Sequence, residues 1–249
     1  MKISIITVCR NSGKTLEDTI KSVLRQSYDD LEYIVVDGLS EDNTSDIVDV
    51  YRNEISCCIR EADNGVYNAL NKGITAATGD VVGVLHADDM YADDNVISRI
   101  AQEFFDKDID VCWGDLNYVK RDNIHAVIRD WKSSEYKTGI FRSGWMPPHP
   151  AFFVKKSVYE KYGVFDESFR IAADYEFMFR LLHVNELKNS YIPEVLVNMK
   201  WGGISNNSVK NIFLKTKEDL RVWHKYNRRG GWKAVFLENI SKIPQFFFK

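Results

Sequence analysis

Hydrophobic and polar positions follow two alternating periods over the first hundred residues. Four short β-branched runs are typical of buried strands: 3–8, 32–37, 56–60 and 81–85. Three stretches between them have apolar residues at helical spacing: 14–26, 42–51 and 66–77. This strand–helix order predicts an α/β fold with a Rossmann-like, mostly parallel central sheet flanked by helices.

The pattern changes after about residue 110. Aromatic alternation predicts antiparallel strands over 110–119 and 126–131, followed by short helices over 156–162 and 174–183 and a strand over 190–199. We therefore expect one domain over 1–206, made of the halves 1–109 and 110–206. The second half should carry a smaller antiparallel sheet, and 207–249 should form a basic amphipathic helical tail.

The net charge of −3 conceals an uneven distribution. From Lys210 onward there are ten Lys/Arg and three Asp/Glu, so the first 209 residues are strongly acidic. The overall charge excludes a globally basic nucleic-acid binder. Apolar residues in the tail recur at helical spacing. Packing on the body explains this pattern, and we expect such packing for the first tail helix. For 232–249 we expect contact with an anionic membrane surface.

Cysteine usage and hydropathy suggest the compartment. The four cysteines have no C-x-x-C spacing, which favours reduced, buried thiols over disulfides or zinc. The first apolar run ends at Cys9 and is too short for a signal peptide, and no stretch approaches about 18 apolar residues. These features predict a cytoplasmic protein with peripheral membrane attachment.

Carboxylates follow three of the four predicted parallel strands. Asp37 ends the second strand, Asp63 follows the third, and Asp88-Asp89 follow the fourth. Ligands of open α/β sheets bind beyond the carboxyl ends of the strands. Carboxylates there can accept hydrogen bonds from a nucleoside or hold a divalent cation on a diphosphate. A P-loop is excluded because Val8 stands where that motif requires its first glycine.

Two longer stretches resemble the family 2 glycosyltransferases, inverting enzymes with the GT-A fold. Residues 61–74, EADNGVYNALNKGI, are similar to the family's E-x-D-x-G-I-Y-D-A-M-N-K-G-I stretch. Residues 171–177, IAADYEF, resemble the segment that carries the general base, and 86–89, HADD, lies where the family has a D-x-D metal motif. The resemblance implies Asp174 as the base and Mn²⁺ or Mg²⁺ as the cofactor.

The resemblance also implies roles for further residues. We predict nucleotide-sugar contacts for Thr7, Arg10, Asp37, Asp63, Lys72 and Asp88. We predict metal contacts for Asp88, Asp89 and His149, and acceptor contacts for Glu176 and Trp201. Lys72 is equally explained as a solvated helix charge, and His149 as a structural histidine.

The implied reaction moves glucose or galactose from a UDP-sugar to a lipid-linked saccharide. The resemblance is to bacterial O-antigen and exopolysaccharide enzymes, several of which form a β1,3 bond on GlcNAc-diphospho-undecaprenol at the cytoplasmic face of the inner membrane. A GDP-sugar donor such as GDP-fucose stays open. So do a sugar-nucleotide nucleotidyltransferase and an inactive sugar-nucleotide-binding protein.

Overall fold

The computed structural model describes residues 1–202 and 209–242. Within them, nine strands share one sheet: β1 (Ile3–Cys9), β2 (Leu31–Asp37), β3 (Cys57–Arg60), β4 (Val81–Val84), β5 (Asp89–Tyr91), β6 (Val111–Val119), β7 (Val127–Trp131), β8 (Phe152–Lys155) and β9 (Asn189–Lys200). The described α-helices are α1 (Leu16–Leu24), α2 (Thr44–Val50), α3 (Val66–Ala76), α4 (Val96–Asp106), α5 (Lys156–Tyr162), α6 (Ala173–Phe179), α7 (Val209–Lys225) and α8 (Gly231–Lys242).

The strand order is β3-β2-β1-β4-β8-β6-β9-β5, and β7 pairs with β6. The first four strands are parallel, as predicted. β8 lies antiparallel between β4 and β6, so β4 and β6 run in the same direction. β9 pairs parallel with β6. The carboxyl ends of the parallel strands and of β6 and β9 therefore meet at one edge of the sheet.

The second half of the chain differs from the prediction in its strand pairing. Its strands continue the central sheet, whereas the sequence pattern suggested a separate antiparallel sheet. β5 and β8 were not predicted, because they are short and lie beside the HADD motif and the prolines at 147, 148 and 150. The helix predicted over 174–183 is α6 followed by a π-helical turn, Arg180–Val184.

The sheet separates two apolar cores. Ile6 and Val8 of β1 point to the side covered by α3 and α6, whereas Ile3 and Ile5 point to the side covered by α1 and α4. α3 approaches the sheet closely at Gly73, where a Cβ atom would lie 2.4 Å from Ile6. This close packing fixes the loop that precedes α3 at the carboxyl edge of the sheet.

The first tail helix packs on the body, as expected. Trp223 of α7 is buried and its Nε1 donates to the Tyr175 hydroxyl at 3.0 Å. α8 buries Ala234 and Val235, while Trp232 and Phe236 stay exposed. The three terminal phenylalanines, 246–248, lie outside the described residues. Among the described residues, no helix is both long enough and apolar enough to cross a membrane.

Candidate active site

β2 delivers Asp37 to the carboxyl edge as a buried carboxylate. Its Oδ1 accepts hydrogen bonds from the backbone N–H (2.9 Å) and hydroxyl (2.6 Å) of Ser40. Its Oδ2 lies 3.3 Å from Nε of Arg60, the neighbouring residue on β3, but makes no hydrogen bond within the described residues. Because a buried acceptor without a donor is costly, Oδ2 suits a ligand N–H.

Asp63 and Arg10 meet Asp37 around Gly38. A Cβ atom at Gly38 would lie 2.0 Å from Asp63 Oδ2 and 3.6 Å from Arg10 Cδ, so a side chain there would displace the Asp63 carboxylate. Asp63 is fixed in a turn by the Gly65 N–H, which donates to Oδ1 at 2.9 Å. The structure thus brings together Asp37 at the end of β2 with Arg10 and Asp63 from two separate loops.

Thr7 and Lys72 occupy positions that differ from their predicted contacts. Thr7 is fully buried and its hydroxyl accepts a hydrogen bond from Tyr33 at 3.1 Å, because its position on β1 turns it into the core. Its side chain does not line a nucleotide pocket. Lys72 Nζ donates to the Ala62 carbonyl at 2.6 Å and pairs with Glu61 at 3.0 Å. Lys72 therefore holds the loop that carries Asp63, so it is not a free solvated charge.

The adjacent carboxylates of Asp88 and Asp89 differ sharply in exposure. The Asp88 side chain is 34% exposed, whereas Asp89 is 1% exposed within β5. Burial, with the neighbouring Asp88 charge, raises the pKa of Asp89 well above its usual value. Asp89 Oδ1 makes no hydrogen bond to the described residues, and Asp88 carries the accessible carboxylate of the pair, so the metal contacts of both residues stay predictions.

His86 lies near Asp88, and a second histidine, His149, lies next to His86. The rings of His86 and His149 are 5.7 Å apart, and His149 packs edge-on against Phe165 at 5.5 Å. Burial lowers the pKa of His149 to about 4, although the nearby Asp174 charge opposes the shift. Burial also lowers the pKa of His86, against the charges of Asp88 and Asp174. Both imidazoles are therefore neutral at pH 7 and can donate a nitrogen lone pair.

Asp174 stands in the first turn of α6 and faces the donor-side half. Its Oδ1 accepts from the Tyr175 N–H at 2.8 Å. The Tyr67 hydroxyl lies within hydrogen-bonding distance of both Asp174 Oδ1 (3.2 Å) and the Ile171 carbonyl oxygen (2.5 Å). Asp174 Oδ2 makes no hydrogen bond to the described part of the chain. The carboxylate is thus held by one oxygen, and the other oxygen can accept a proton.

Glu218 of α7 organises the segment that precedes Asp174. Its carboxylate accepts three backbone hydrogen bonds at 2.9–3.0 Å, from the N–H groups of Arg170, Ile171 and Ala172. Sequence reasoning missed this residue, because one of two adjacent acids in a basic helix more than 40 residues downstream carries no visible signal. Tyr67 lies in the recognised 61–74 stretch, so that motif could have indicated it.

The two predicted acceptor contacts have different outcomes. Glu176 is fully buried and pairs with Arg180 (3.0 Å), Lys225 (2.6 Å) and the Tyr226 hydroxyl. It cannot contact an acceptor, since a residue two positions after Asp174 points toward α7. Trp201 remains accessible, and its indole packs edge-on against Tyr118 at 5.4 Å.

The residues around Asp88 supply part of a coordination sphere. Among the residues that the structure describes, no three His, Cys, Asp or Glu side chains form a ready metal site. Asp88 offers one accessible carboxylate, and the neutral His86 near it offers a nitrogen donor. Mg²⁺-type sites commonly use one or two carboxylates together with substrate phosphates. The arrangement therefore fits a divalent cation that shares its ligands with a bound diphosphate.

Solved structures of other proteins share this architecture. Staphylococcus aureus TarS residues 1–349 in complex with UDP-GlcNAc gives a TM-score of 0.70 at 16% identity, covering 94% of this chain and 69% of that one. Mannosyltransferase PcManGT from Pyrobaculum calidifontis with GDP-Man and Mn²⁺ gives 0.67 at 16% identity, covering 98% and 72%. This likeness confirms the predicted GT-A type fold.

Sequence comparisons agree with the fold. A PGL/p-HBAD biosynthesis glycosyltransferase of Mycobacterium bovis is 28% identical over 217 residues, covering 85% of this chain and 82% of the relative. An uncharacterized glycosyltransferase of Mycobacterium tuberculosis is 31% identical over 187 residues, covering 74% and 70%. The model of the family described as glycosyl transferase family 2 matches residues 4–166. The chain therefore belongs to glycosyltransferase family 2.

Proposed function

We propose that the protein is an inverting glycosyltransferase that moves glucose or galactose from a UDP-sugar to a lipid-linked saccharide. The observation that carries the proposal is the meeting of Asp88 and Asp174. They come from opposite halves of the chain, and the two halves meet where the Tyr67 hydroxyl lies 3.2 Å from Asp174 Oδ1 and the His86 and His149 rings lie 5.7 Å apart. Asp88 is suited to hold a cation on the donor's diphosphate, and Asp174 is suited to take the proton of the acceptor's hydroxyl.

The donor site is the group formed by Arg10, Asp37 and Asp63, together with Asp88. Asp37 Oδ2 and Asp63 would accept hydrogen bonds from the uridine, and the Arg10 guanidinium would offset phosphate charge. TarS structures hold UDP-GlcNAc or UDP, which supports a uridine donor. A GDP-sugar donor is the second candidate, because PcManGT holds GDP-Man on the same fold.

Asp174 performs the proton transfer in the proposed reaction. Its free Oδ2 takes the proton of the acceptor hydroxyl, while Tyr67 and the Tyr175 N–H hold Oδ1. The acceptor oxygen then forms a bond to the anomeric carbon as the bond to the UDP oxygen breaks. Because the attack is in line, the configuration at that carbon inverts.

Asp88 with His86 and His149 would hold the divalent cation, Mn²⁺ or Mg²⁺. When bound, it supplies positive charge that stabilises the diphosphate leaving group. PcManGT contains Mn²⁺, which supports a divalent cation of this kind. The neutral state of both imidazoles keeps their nitrogens available at pH 7.

For the acceptor we propose GlcNAc-diphospho-undecaprenol, joined through a β1,3 bond in surface polysaccharide synthesis at the cytoplasmic face of the inner membrane. The accessible Trp201 is the described aromatic side chain that we assign to the acceptor, since indole rings pack well against sugars. The division of the chain at residue 206 into catalytic domain and tail stays a prediction.

The donor and acceptor are tested together by a nucleotide-sugar screen. Purified protein is incubated with UDP-glucose, UDP-galactose or GDP-fucose, a synthetic GlcNAc-diphosphate-lipid and Mn²⁺. We expect transfer from one UDP-hexose, loss of transfer in EDTA and recovery when Mn²⁺ is restored. Transfer from GDP-fucose alone would favour the second candidate, and full activity in chelator would contradict the metal mechanism.

A membrane-facing surface on α8 is consistent with a lipid-linked acceptor. Trp232 and Phe236 are one helical turn apart and are 73% and 64% exposed. Arg228, Arg229 and Lys233 are exposed close to them in sequence. Aromatic residues bordered by basic residues are typical of helices that lie at the surface of an anionic bilayer.

Replacing both Trp232 and Phe236 by Ala should weaken binding to anionic vesicles at least about tenfold, because burial of each aromatic ring stabilises the bound state. Vesicle sedimentation measures the effect. Phe105→Ala on α4 removes a ring that is 83% exposed elsewhere on the surface, and it should leave binding unchanged. Equal vesicle binding by the double variant and wild type would refute the membrane role.

A further inference from the structure

Arg121 joins the donor-side carboxylate to the end of β9. Its Nη2 lies 3.8 Å from Asp88 Oδ2 and donates a hydrogen bond to the Gly202 carbonyl at 3.2 Å. Its Nε donates to the Trp201 carbonyl at 2.9 Å. A single guanidinium therefore contacts both Asp88 and the backbone beside the aromatic side chain assigned to the acceptor.

The backbone fixes this position of the guanidinium. Gly202 has φ of +108°, and a Cβ atom there would lie 3.3 Å from Arg121 Nε, tighter than an ordinary contact. The Trp201 N–H donates to the Val119 carbonyl at 2.9 Å, which ties the end of β9 to the end of β6 just before Arg121. Arg121 is thus held by two carbonyl groups at a place where glycine allows close approach.

A guanidinium at this place would compete with a metal ion. Arg121 and a divalent cation are both positive, and each would use the accessible carboxylate of Asp88. Guanidinium groups also bind phosphate oxygens well, often through two parallel hydrogen bonds. A diphosphate bound through a cation at Asp88 would therefore give Arg121 a new anionic partner within a few ångströms.

We propose that Arg121 is a donor-binding residue that neutralises Asp88 before the donor binds and turns to the diphosphate once a divalent cation takes Asp88. The inference rests on the proposed function, because it needs a cation and a nucleotide diphosphate at Asp88. Since the same guanidinium holds the Trp201 and Gly202 carbonyls, its movement links donor binding to the end of β9. Donor binding therefore changes the hydrogen bond that Arg121 donates to the Trp201 carbonyl.

The test measures two affinities that should change in opposite directions in Arg121→Gln. Binding of Mn²⁺ alone, followed by electron paramagnetic resonance of the free ion, should tighten by about two- to fivefold, because a competing positive charge is lost. Binding of UDP at saturating Mn²⁺, measured by calorimetry, should weaken by about tenfold or more, because a charged hydrogen-bond donor to the diphosphate is lost. Arg121→Lys keeps the charge, so its Mn²⁺ affinity should match wild type and its UDP affinity should be intermediate.

Arg129→Gln is the matched control. It removes the same charge from β7, where Arg129 lies over the rings of Tyr118 (5.2 Å) and Trp131 (5.4 Å). Both of its affinities should stay within about twofold of wild type. An unchanged Mn²⁺ affinity in Arg121→Gln, or a fall in both affinities together, would overturn the proposed movement of Arg121 from Asp88 to the diphosphate. A wild-type protein that binds neither UDP nor Mn²⁺ would instead overturn the proposed function and this inference with it.

Discussion

Asp174→Asn should lower kcat by about 10²–10⁴-fold while leaving the affinity for UDP and Mn²⁺ within about twofold of wild type. The amide keeps the shape of the side chain and its Oδ1 can still accept from the Tyr175 N–H. It cannot take a proton from the acceptor hydroxyl, and removal of a general base typically costs this much. Steady-state transfer assays and calorimetry with UDP measure the two effects.

Asp29→Asn is a suitable control for the Asp174 variant. Asp29 is an exposed carboxylate in the turn between α1 and β2, away from the carboxyl edge of the sheet. This control should retain full transfer activity. If Asp174→Asn loses UDP affinity in parallel with kcat, Asp174 is part of the donor site and the assignment as base is wrong.

Asp88→Asn should reduce transfer by about 100-fold or more, because it weakens donor binding rather than removing the base. The variant loses the accessible carboxylate that would hold the cation on the diphosphate, so donor affinity should fall along with the rate. Raising the Mn²⁺ concentration should restore part of the activity, because the two histidines remain. Transfer rates over a matrix of UDP-sugar and Mn²⁺ concentrations measure this dependence.

Asp89→Asn provides the matched comparison, with the same change one residue away. Because Asp89 is buried within β5, its substitution should change Mn²⁺ and UDP affinity by less than about threefold. A larger loss in Asp89→Asn than in Asp88→Asn would make Asp89 the main metal contact. It would also show that exposure does not decide which of the two carboxylates acts.

The sequence predicted the parallel half of the fold well, because strands and crossover helices there are local in the chain. Each helix returns the chain to the same edge, so Asp37, Asp63 and Asp88 had to lie near each other. The second half depends on pairings between distant segments, such as β8 between β4 and β6. Periodicity within one strand does not specify its partner or its direction, and the predicted separate sheet was wrong for this reason.

The site shows a similar limit. Motifs indicated which residues to consider, but the tertiary contacts of each side chain decide which of them can meet a ligand. Thr7 and Glu176 carry suitable chemistry, yet Thr7 is enclosed in the core and Glu176 is paired with Arg180 and Lys225. Glu218 and Arg121 act through backbone groups of distant segments, and such contacts leave no local pattern in a sequence.

The most direct test of the separate roles of the two carboxylates is a calorimetric titration of UDP. It compares Mn²⁺-saturated wild type, Asp88→Asn and Asp174→Asn. We predict that Asp174→Asn binds UDP like wild type and that Asp88→Asn binds it at least about tenfold more weakly. Equal UDP affinity in all three proteins, or weaker binding only in Asp174→Asn, would contradict the assignment of Asp88 to the donor and Asp174 to the acceptor.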